Sequence, residues 1–577
     1  MAGSVAAVFR GTPFAEGAFR RLLSGRNLII LGVAVVIGYL GAVPLGFLLW
    51  RTFFQNGAFT FSNFRGAYTS VGLGTMMANS LAFAFGSCAV ALVLGSILAF
   101  LIVRTDVPGK PLMFAASLVP LIIPGILHTI AWVFILDPNI GIANKWVIQP
   151  LDGNHPFNVF SIPGMIVIEG LHLSPLVFLL MVAALRSMDP SLEESAIMSG
   201  ASLPTVFRRI TLPLVRPALF AAALIMVVRG LESFEVPAVV GLRNHIWVYT
   251  SRIWQALNDA LPNYGQAGAY AMTLLVLCSV GVWLQSRLSK RSRAYQTITG
   301  KGFRPHPVQL GAWRLPATAF IVAYFLIAVV LPILVLVYAS TQQFYSPPSH
   351  YTLSHMSLSM YSQEWHEPVL QTALWNSLEL GLGSATAVML LTAIASWLVV
   401  RTKLPGRWVV DNLAFLPLTI PGLVLGVALI FVYLRLPIQG IYGTLWILFI
   451  AYLTRYMPYG MRYSSTSMFQ IGRELEESAH MSGAGWWQTF RRVVLPLLAP
   501  GLVAGWIYIL IVSFRELGAS VLLYSPGKEV LSIVIWEQWR DGLLTEVAAL
   551  GVMLIGALVV LVAIAYKLGA RIGVKEA

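Results

Sequence analysis

Long apolar runs, separated by short clusters of charged and turn-forming residues, recur along the whole chain. A helix needs about 20 mostly apolar residues to cross a bilayer, because each residue advances it by only ~1.5 Å. Twelve runs reach that length: roughly 28–50, 80–103, 111–136, 161–185, 214–240, 265–286, 315–340, 377–400, 408–434, 442–463, 497–523 and 544–566. In hydrocarbon every backbone N–H and C=O must find its partner inside the protein, so runs of this kind are predicted as helices. The pattern predicts an all-α integral membrane protein of twelve transmembrane helices.

The runs come in two matched sets. Asn79-Ser80, Val103-Arg104-Thr105, Pro120 and Pro124-Gly125 of the first set return as Asn376-Ser377, Val400-Arg401-Thr402, Pro417 and Pro421-Gly422, each 297 residues later. Further on, the offset is 283, which places fourteen extra residues in the first set, in the stretch 137–160. The reading is a tandem duplication into two pseudo-symmetric six-helix halves. The first unit covers 1–286, a basic linker 287–314, and the second unit 315–577. Six spans per unit make the repeat parallel, not inverted.

Composition agrees with the bilayer reading. The chain is 57% hydrophobic and 11% charged, against about a quarter charged in soluble domains, and its mean hydropathy is +0.77. The net charge of +14 invites a nucleic-acid reading, but the basic residues flank the apolar runs as membrane anchors do. Arg10, Arg20, Arg21 and Arg26, then Arg104 and Lys110, then seven Lys and Arg in 285–314, then Lys567, Arg571 and Lys575 all fall on one side if there are twelve spans. By the positive-inside rule that side is cytoplasmic, with both termini on it. The run at 28–50 is too long for a signal-peptide core and reads as a retained first span. Cys88 and Cys278 lie inside apolar runs and read as packing residues.

One polar stretch is repeated almost verbatim on the cytoplasmic side. Glu193-Glu194-Ser195-Ala196-Ile197-Met198-Ser199-Gly200 continues through Phe207-Arg208-Arg209 to Leu212-Pro213. Glu476-Glu477-Ser478-Ala479-His480-Met481-Ser482-Gly483 continues through Phe490-Arg491-Arg492 to Leu495-Pro496. The loops span about 186–213 and 464–496. Asp189-Pro190-Ser191 with acids behind it reads as a helix start, since Pro is tolerated early and acids favour the positive helix N-terminus. Gly200 and Gly483 give the backbone freedom to turn, and a second short helix is predicted near 204–211. A compact charged helix pair of this kind suits docking into a cleft of another protein.

The pattern Glu-Ser-Ala-x3-Gly-x9-(Ile/Val)-x-Leu-Pro resembles the signature loop of permease subunits of binding-protein-dependent ABC importers, with Ser in place of the first Ala in both copies. The resemblance covers about 75–285 and 372–566. The fused two-unit length is most similar to the ferric-iron permease branch, while polyamine, thiamine and phosphonate permeases share the loop. The resemblance implies a type I importer fold and a bacterial inner-membrane location. It implies two ATP-binding cassette subunits docked on the two loops and a periplasmic solute-binding protein outside. It assigns ATPase coupling to Glu193, Glu194, Ala196, Gly200, Arg208 and Arg209, and to Glu476, Glu477, Ala479, Gly483, Arg491 and Arg492. The chain has no Gly-x4-Gly-Lys-Ser/Thr phosphate loop; Gly109-Lys110, Gly300-Lys301 and Gly527-Lys528 lack both the upstream Gly and the following hydroxyl. ATP and Mg are therefore expected in a partner chain. No resident cofactor or metal, and no enzymatic centre, is expected here.

Charges inside spans are costly and mark functional sites. Arg229, Glu232 and Glu235, spaced three apart, are expected on one helical stripe near the outer end of span five, and Arg515-Glu516 at a similar depth in span eleven, acid beside base in each case. Two readings are open: these residues line the translocation path, or they pair to fix helix packing. The proline pairs that include Pro124 and Pro421 are either kinked walls of the path or packing kinks. The outer loop 341–375, with His350, His355, His366, Glu364 and Glu367, has no compact ligand spacing and reads as a solvated docking loop. Arg243, Arg252, Lys528 and Arg540 are either a binding-protein surface or interfacial anchors. Trp486-Trp487 either pack on the ATPase or anchor at the interface. A rival class, the ion-coupled secondary transporter, also uses six plus six spans.

Overall fold

The computed structural model describes residues 25–55, 57–69, 72–151, 156–188, 191–292, 307–436, 438 and 440–571. The basic leader up to residue 24 and half of the basic linker, 293–306, lie outside the described residues. Apart from a two-residue hairpin, Phe54–Gln55 with Ala58–Phe59, the fold is helical.

The first half contains α1 (Leu28–Phe53), α2 (Leu73–Arg104), α3 (Lys110–Leu121), α4 (Gly125–Leu136) and α5 (Ile162–Arg186). After them come α6 (Ser191–Met198), α7 (Phe207–Glu232), α8 (Tyr249–Asn258) and α9 (Tyr264–Arg287). The second half contains α10 (Gly311–Ser340), α11 (Ser359–His366), α12 (Pro368–Arg401), α13 (Arg407–Thr419) and α14 (Gly422–Tyr433). It closes with α15 (Leu445–Gln470), α16 (Glu474–Met481), α17 (Trp486–Ser513), α18 (Leu531–Arg540) and α19 (Leu544–Ala565). Nine of these helices are long and apolar enough to cross a bilayer, or eleven spans if each of two sharply bent pairs is one. The tenth expected span is the helix α15, 26 residues long and less apolar, since it carries Arg455 and Arg462.

The bent pairs lie where spans three and nine were expected to be kinked at their prolines. α3 and α4 meet at 94°, and α13 and α14 at 112°. Proline supplies the bend: Pro124 (φ −55°, ψ 136°) and Pro421 (φ −54°, ψ 145°) are extended, and each precedes the first residue of the next helix. A proline donates no hydrogen bond to the preceding turn and pushes its predecessor out of the helical region, so the helix stops before it.

In each half one helix pair forms the spine: α2 on α5, and α12 on α15, with α7 and α17 packed against them. The first helix of each half leans on the other half. α1 packs on α12, α13 and α14, and Tyr39 shares a 2.6 Å hydrogen bond with Tyr433. α10 packs on α3 and α4, and Tyr324 bonds Ser174 of α5 at 2.9 Å.

Candidate coupling loops and translocation cavity

Both repeated loops fold identically. α6 and α16 are eight-residue helices with acids in the first turn. Each ends on a glycine with positive φ, Gly200 at 85° and Gly483 at 82°. Gly200 N–H donates to Ile197 O (2.9 Å) and Ala201 N–H to Ala196 O (3.0 Å); Gly483 N–H donates to His480 O (3.0 Å) and Ala484 N–H to Ala479 O (3.0 Å). That pair of bonds is the Schellman cap, which needs a left-handed residue and hence glycine. Asp189-Pro190, the expected helix start, lies outside the described residues.

The second short helix forms but is not separate from the span. One α-helical turn, Leu203–Val206, passes through a wide turn over Phe207–Thr211 straight into the spanning helix, with Pro213 in its first turn. Arg208 and Arg209, like Arg491 and Arg492, therefore sit exposed at the base of α7 and α17. A wide turn accommodates the donor that proline lacks.

The two glutamates of each loop divide the work. Glu193 faces inward: its Oε2 is 3.5 Å from Arg104 at the end of α2, and its Oε1 accepts from Thr211 Oγ1 at 2.6 Å. Glu476 does the same in the other half, 2.8 Å from Arg401 Nε and accepting from Trp397 Nε1 at 3.1 Å. The pairs are mostly buried, at 4% and 12% exposure in the first and 7% and 12% in the second. They tie the first loop to the end of α2 and the second to the end of α12. Glu194, half-buried, and Glu477, exposed, enter no ion pair among the described residues and stay available outside. Met198 and Met481, at matched positions, are 88% and 89% exposed beside them. Trp486 turns inward onto Trp397 and Phe490, with Trp487 half outside.

Every charge singled out inside the spans reaches one cavity of about 250 Å³ between the halves. The expected helical stripe does not form. α7 ends at Glu232, Ser233 is extended (ψ 128°), and Glu235 lies beyond the break, with the buried segment 236–241 continuing after it. α17 likewise ends at Ser513, ahead of Arg515 and Glu516. Arg229 pairs with Glu232 (3.5 Å) and donates to Tyr459 Oη (3.0 Å). Arg515 and Glu516 do not pair with each other. Adjacent residues at a helix end point apart: Glu516 takes Arg455 of α15 (2.9 Å) and the Tyr456 hydroxyl (3.0 Å), while Arg515 donates to the Leu121 carbonyl. Pro124 and Pro421 do not line the cavity themselves; they deliver the glycines that follow. A methyl group on Gly125 would strike the Glu235 carboxylate, and one on Gly422 the Arg455 guanidinium.

The sequence reading missed Glu169, His172, Arg455 and the tyrosines 456, 459 and 508, all of which line the cavity. Ser233 Oγ donates to Glu169 at 3.1 Å. A signal was present, for the 283-residue offset pairs His172 with Arg455, polar residues inside otherwise apolar runs.

Six of the outer candidates make contacts within their own chain. Arg243 pairs with Asp137 (3.0 Å), Arg252 stacks on Trp247, and Arg540 pairs with Asp541 (3.5 Å). His355 and His366 bond local carbonyls, and Gln538 donates to Glu364 at 3.0 Å. Among the described residues no three His, Cys, Asp or Glu converge to hold a metal ion.

Residues 91–294 and 389–573 each match the family described as binding-protein-dependent transport system inner membrane component. The chain belongs to this family. It is a membrane transport component and not an enzyme, and the family works with ATPase and binding-protein partners. The chain is 24% identical to the Fe(3+)-transport system permease protein FbpB 2 of Haemophilus influenzae over 81% of its own length and 84% of that protein's. It is 24% identical to the ferric transport system permease protein FbpB of Actinobacillus pleuropneumoniae, over 69% of its own length. It spans only 57% of that relative. Among solved structures, a bacterial ABC transporter involved in the import of the acidic polysaccharide alginate matches 48% of the chain at 17% identity, with a TM-score of 0.40.

Proposed function

We propose that this family member is the fused permease of a bacterial ABC importer for ferric iron. In this reading twelve spans form two six-helix halves, α15 and each bent pair counting as one span apiece, with both termini cytoplasmic. Two ATP-binding cassette subunits grip the loops built on α6 and α16, and a periplasmic binding protein delivers cargo outside. ATP closes the ATPases, the loops carry the motion into α7 and α17, and the cavity opens alternately to either side. Polyamine, thiamine or phosphonate cargo is the alternative within the same class.

The observation that carries the reading is the paired loop. Two copies share the same glycine cap, the same inward glutamate anchored to the arginine that ends α2 or α12, and the same outward glutamate beside an exposed methionine. A rigid, anchored knob on each half is what a two-motor machine needs. The iron assignment is supported by the relatives named above.

The test is labelled ferric-iron uptake in iron-starved cells lacking the gene, rescued with wild type or with Glu194→Lys plus Glu477→Lys. Wild type should restore uptake and the double variant should insert normally without restoring it. Normal uptake by the double variant removes the coupling role. Uptake unchanged by the deletion removes iron. An ion-coupled secondary transporter would instead lose uptake to an ionophore while ATP stays high.

A further inference from the structure

The halves are duplicates, yet they present opposite chemistry to the cavity. At matched positions 283 residues apart, Glu232 of the first half stands against Arg515 of the second, and His172 against Arg455. Leu173 and Leu176 line the first wall where Tyr456 and Tyr459 line the second. Ile225 corresponds to Tyr508. Two of the charges on each wall are already committed: Arg229 to Glu232, and Arg455 to Glu516. What remains is polarised. The first half keeps Glu235, with no cation within ion-pair distance among the described residues, and Glu169, held only by the Ser233 hydroxyl. The second half keeps Arg515, which spends one of its five N–H donors on the Leu121 carbonyl. On the same wall the Tyr459 hydroxyl accepts from Arg229, so its own proton is free to donate, and the Tyr508 ring lies tilted against the Tyr459 ring, centroids 5.4 Å apart.

A planar guanidinium with free N–H groups and a phenol whose oxygen is held by another guanidinium form a donor set for an oxyanion. Uncompensated carboxylates form one for a positive centre. We infer that the cavity recognises its cargo as a dipole: an oxyanion against Arg515, Tyr459 and Tyr508, and a cationic centre against Glu169 and Glu235. This deepens the reading of the cavity as the translocation path. For ferric iron it means that the metal crosses with an oxyanion ligand instead of as a bare ion. A zwitterion carrying an amine and a phosphonate has the same two poles.

The experiment uses the complete transporter, permease with its ATPase and binding protein, in proteoliposomes. The probes are ⁵⁵Fe(III) supplied with ³²P-phosphate and, separately, ¹⁴C-labelled 2-aminoethylphosphonate. The variants are Arg515→Gln, the phenol-deleting pair Tyr459→Phe with Tyr508→Phe, and Glu235→Gln. The inference expects phosphate label to enter with iron in fixed ratio. It also expects uptake to fall at least tenfold in Arg515→Gln and severalfold in the other two, while ATP hydrolysis persists. Iron entering without phosphate, at wild-type rate in Arg515→Gln, overturns the inference and leaves the iron assignment intact. No iron uptake, with aminoethylphosphonate entering and sensitive to Arg515→Gln, overturns the iron assignment and upholds the dipole. Transport of neither probe by the wild type overturns both. Each variant's insertion is checked by its binding to the ATPase.

Discussion

Glu476→Gln is the sharpest probe of how the loops are held. The change keeps the size of the side chain and its bond from Trp397, and removes the charge facing Arg401 at 2.8 Å. Arg401, 7% exposed, keeps two backbone carbonyl acceptors, Met468 O at 3.2 Å and Ile471 O at 2.6 Å, but loses its counter-charge. Stripping one partner from a buried pair costs about 3–5 kcal/mol. With those carbonyls still in place the lower end, about 3 kcal/mol, is expected. At ~1.4 kcal/mol per tenfold, local opening of α16 becomes roughly 100-fold more populated. The matched change Glu193→Gln should do at least as much. The first pair is longer, at 3.5 Å, but Arg104, 4% exposed, has two buried N–H groups, Nε and Nη2, without an acceptor, so no carbonyl pair takes up its charge as in the other loop. About 3 kcal/mol or more is expected there too. The assay is hydrogen exchange of the amides in 474–483 and 191–200, run beside the ratio of cargo imported to ATP hydrolysed. Each change should speed exchange in its own loop by roughly 100-fold while leaving the other loop near wild type, and should lower the import ratio. Exchange within threefold of wild type in both loops, with an unchanged ratio, would refute the anchoring argument.

Gly483→Ala places a side chain at φ 82°, a left-handed conformation that costs an L-residue about 1–2 kcal/mol, and should cut transport more than ATP hydrolysis when both are measured in vesicles. Gly125→Ala drives a methyl group into the Glu235 carboxylate and should lower uptake at least tenfold without loss of membrane insertion, checked by surface labelling. On the outer loop, burial lifts the Glu364 carboxyl above its ordinary range, with the bond from Gln538 pulling more weakly the other way. A carboxyl whose folded pKa is raised stabilises the fold as pH falls through that pKa and loses the contribution as pH rises. Wild type should therefore gain thermal stability relative to Glu364→Gln on going from about pH 8 to about pH 5, read by melting of both proteins; a difference that does not change with pH contradicts the burial argument. Cys88 and Cys278 are buried in helix packing, so a permeant maleimide should label them only after denaturation.

Much of the architecture was legible because a bilayer leaves the chain few choices. Apolar runs of spanning length become helices, and the duplication exposes the loops as a repeated polar insert. The glycine caps were readable for the same reason, since only glycine sits at that turn without strain. Three things were not. Helix ends inside the membrane carry no sequence punctuation, so the break after Glu232 passed as a continuous stripe and Glu235 was placed on the wrong element. Arg515 and Glu516 are neighbours in sequence, and nothing in adjacency says that one would reach Arg455 and the other Leu121. Glu193 and Glu194 look alike along the chain, and only the approach of α2 to the loop separates the buried anchor from the outward residue. In each case the missing information was tertiary: which helix lies beside which.

The most direct test of the central claim is cargo uptake by proteoliposomes containing the permease, its ATPase and its loaded binding protein, with all ion gradients collapsed by ionophores and ATP supplied on the loop side. The account predicts uptake that continues without any gradient, stops without ATP, and is lost in Glu194→Lys with Glu477→Lys. Uptake that follows the gradient and ignores ATP, or that survives the double substitution at the wild-type rate, contradicts it.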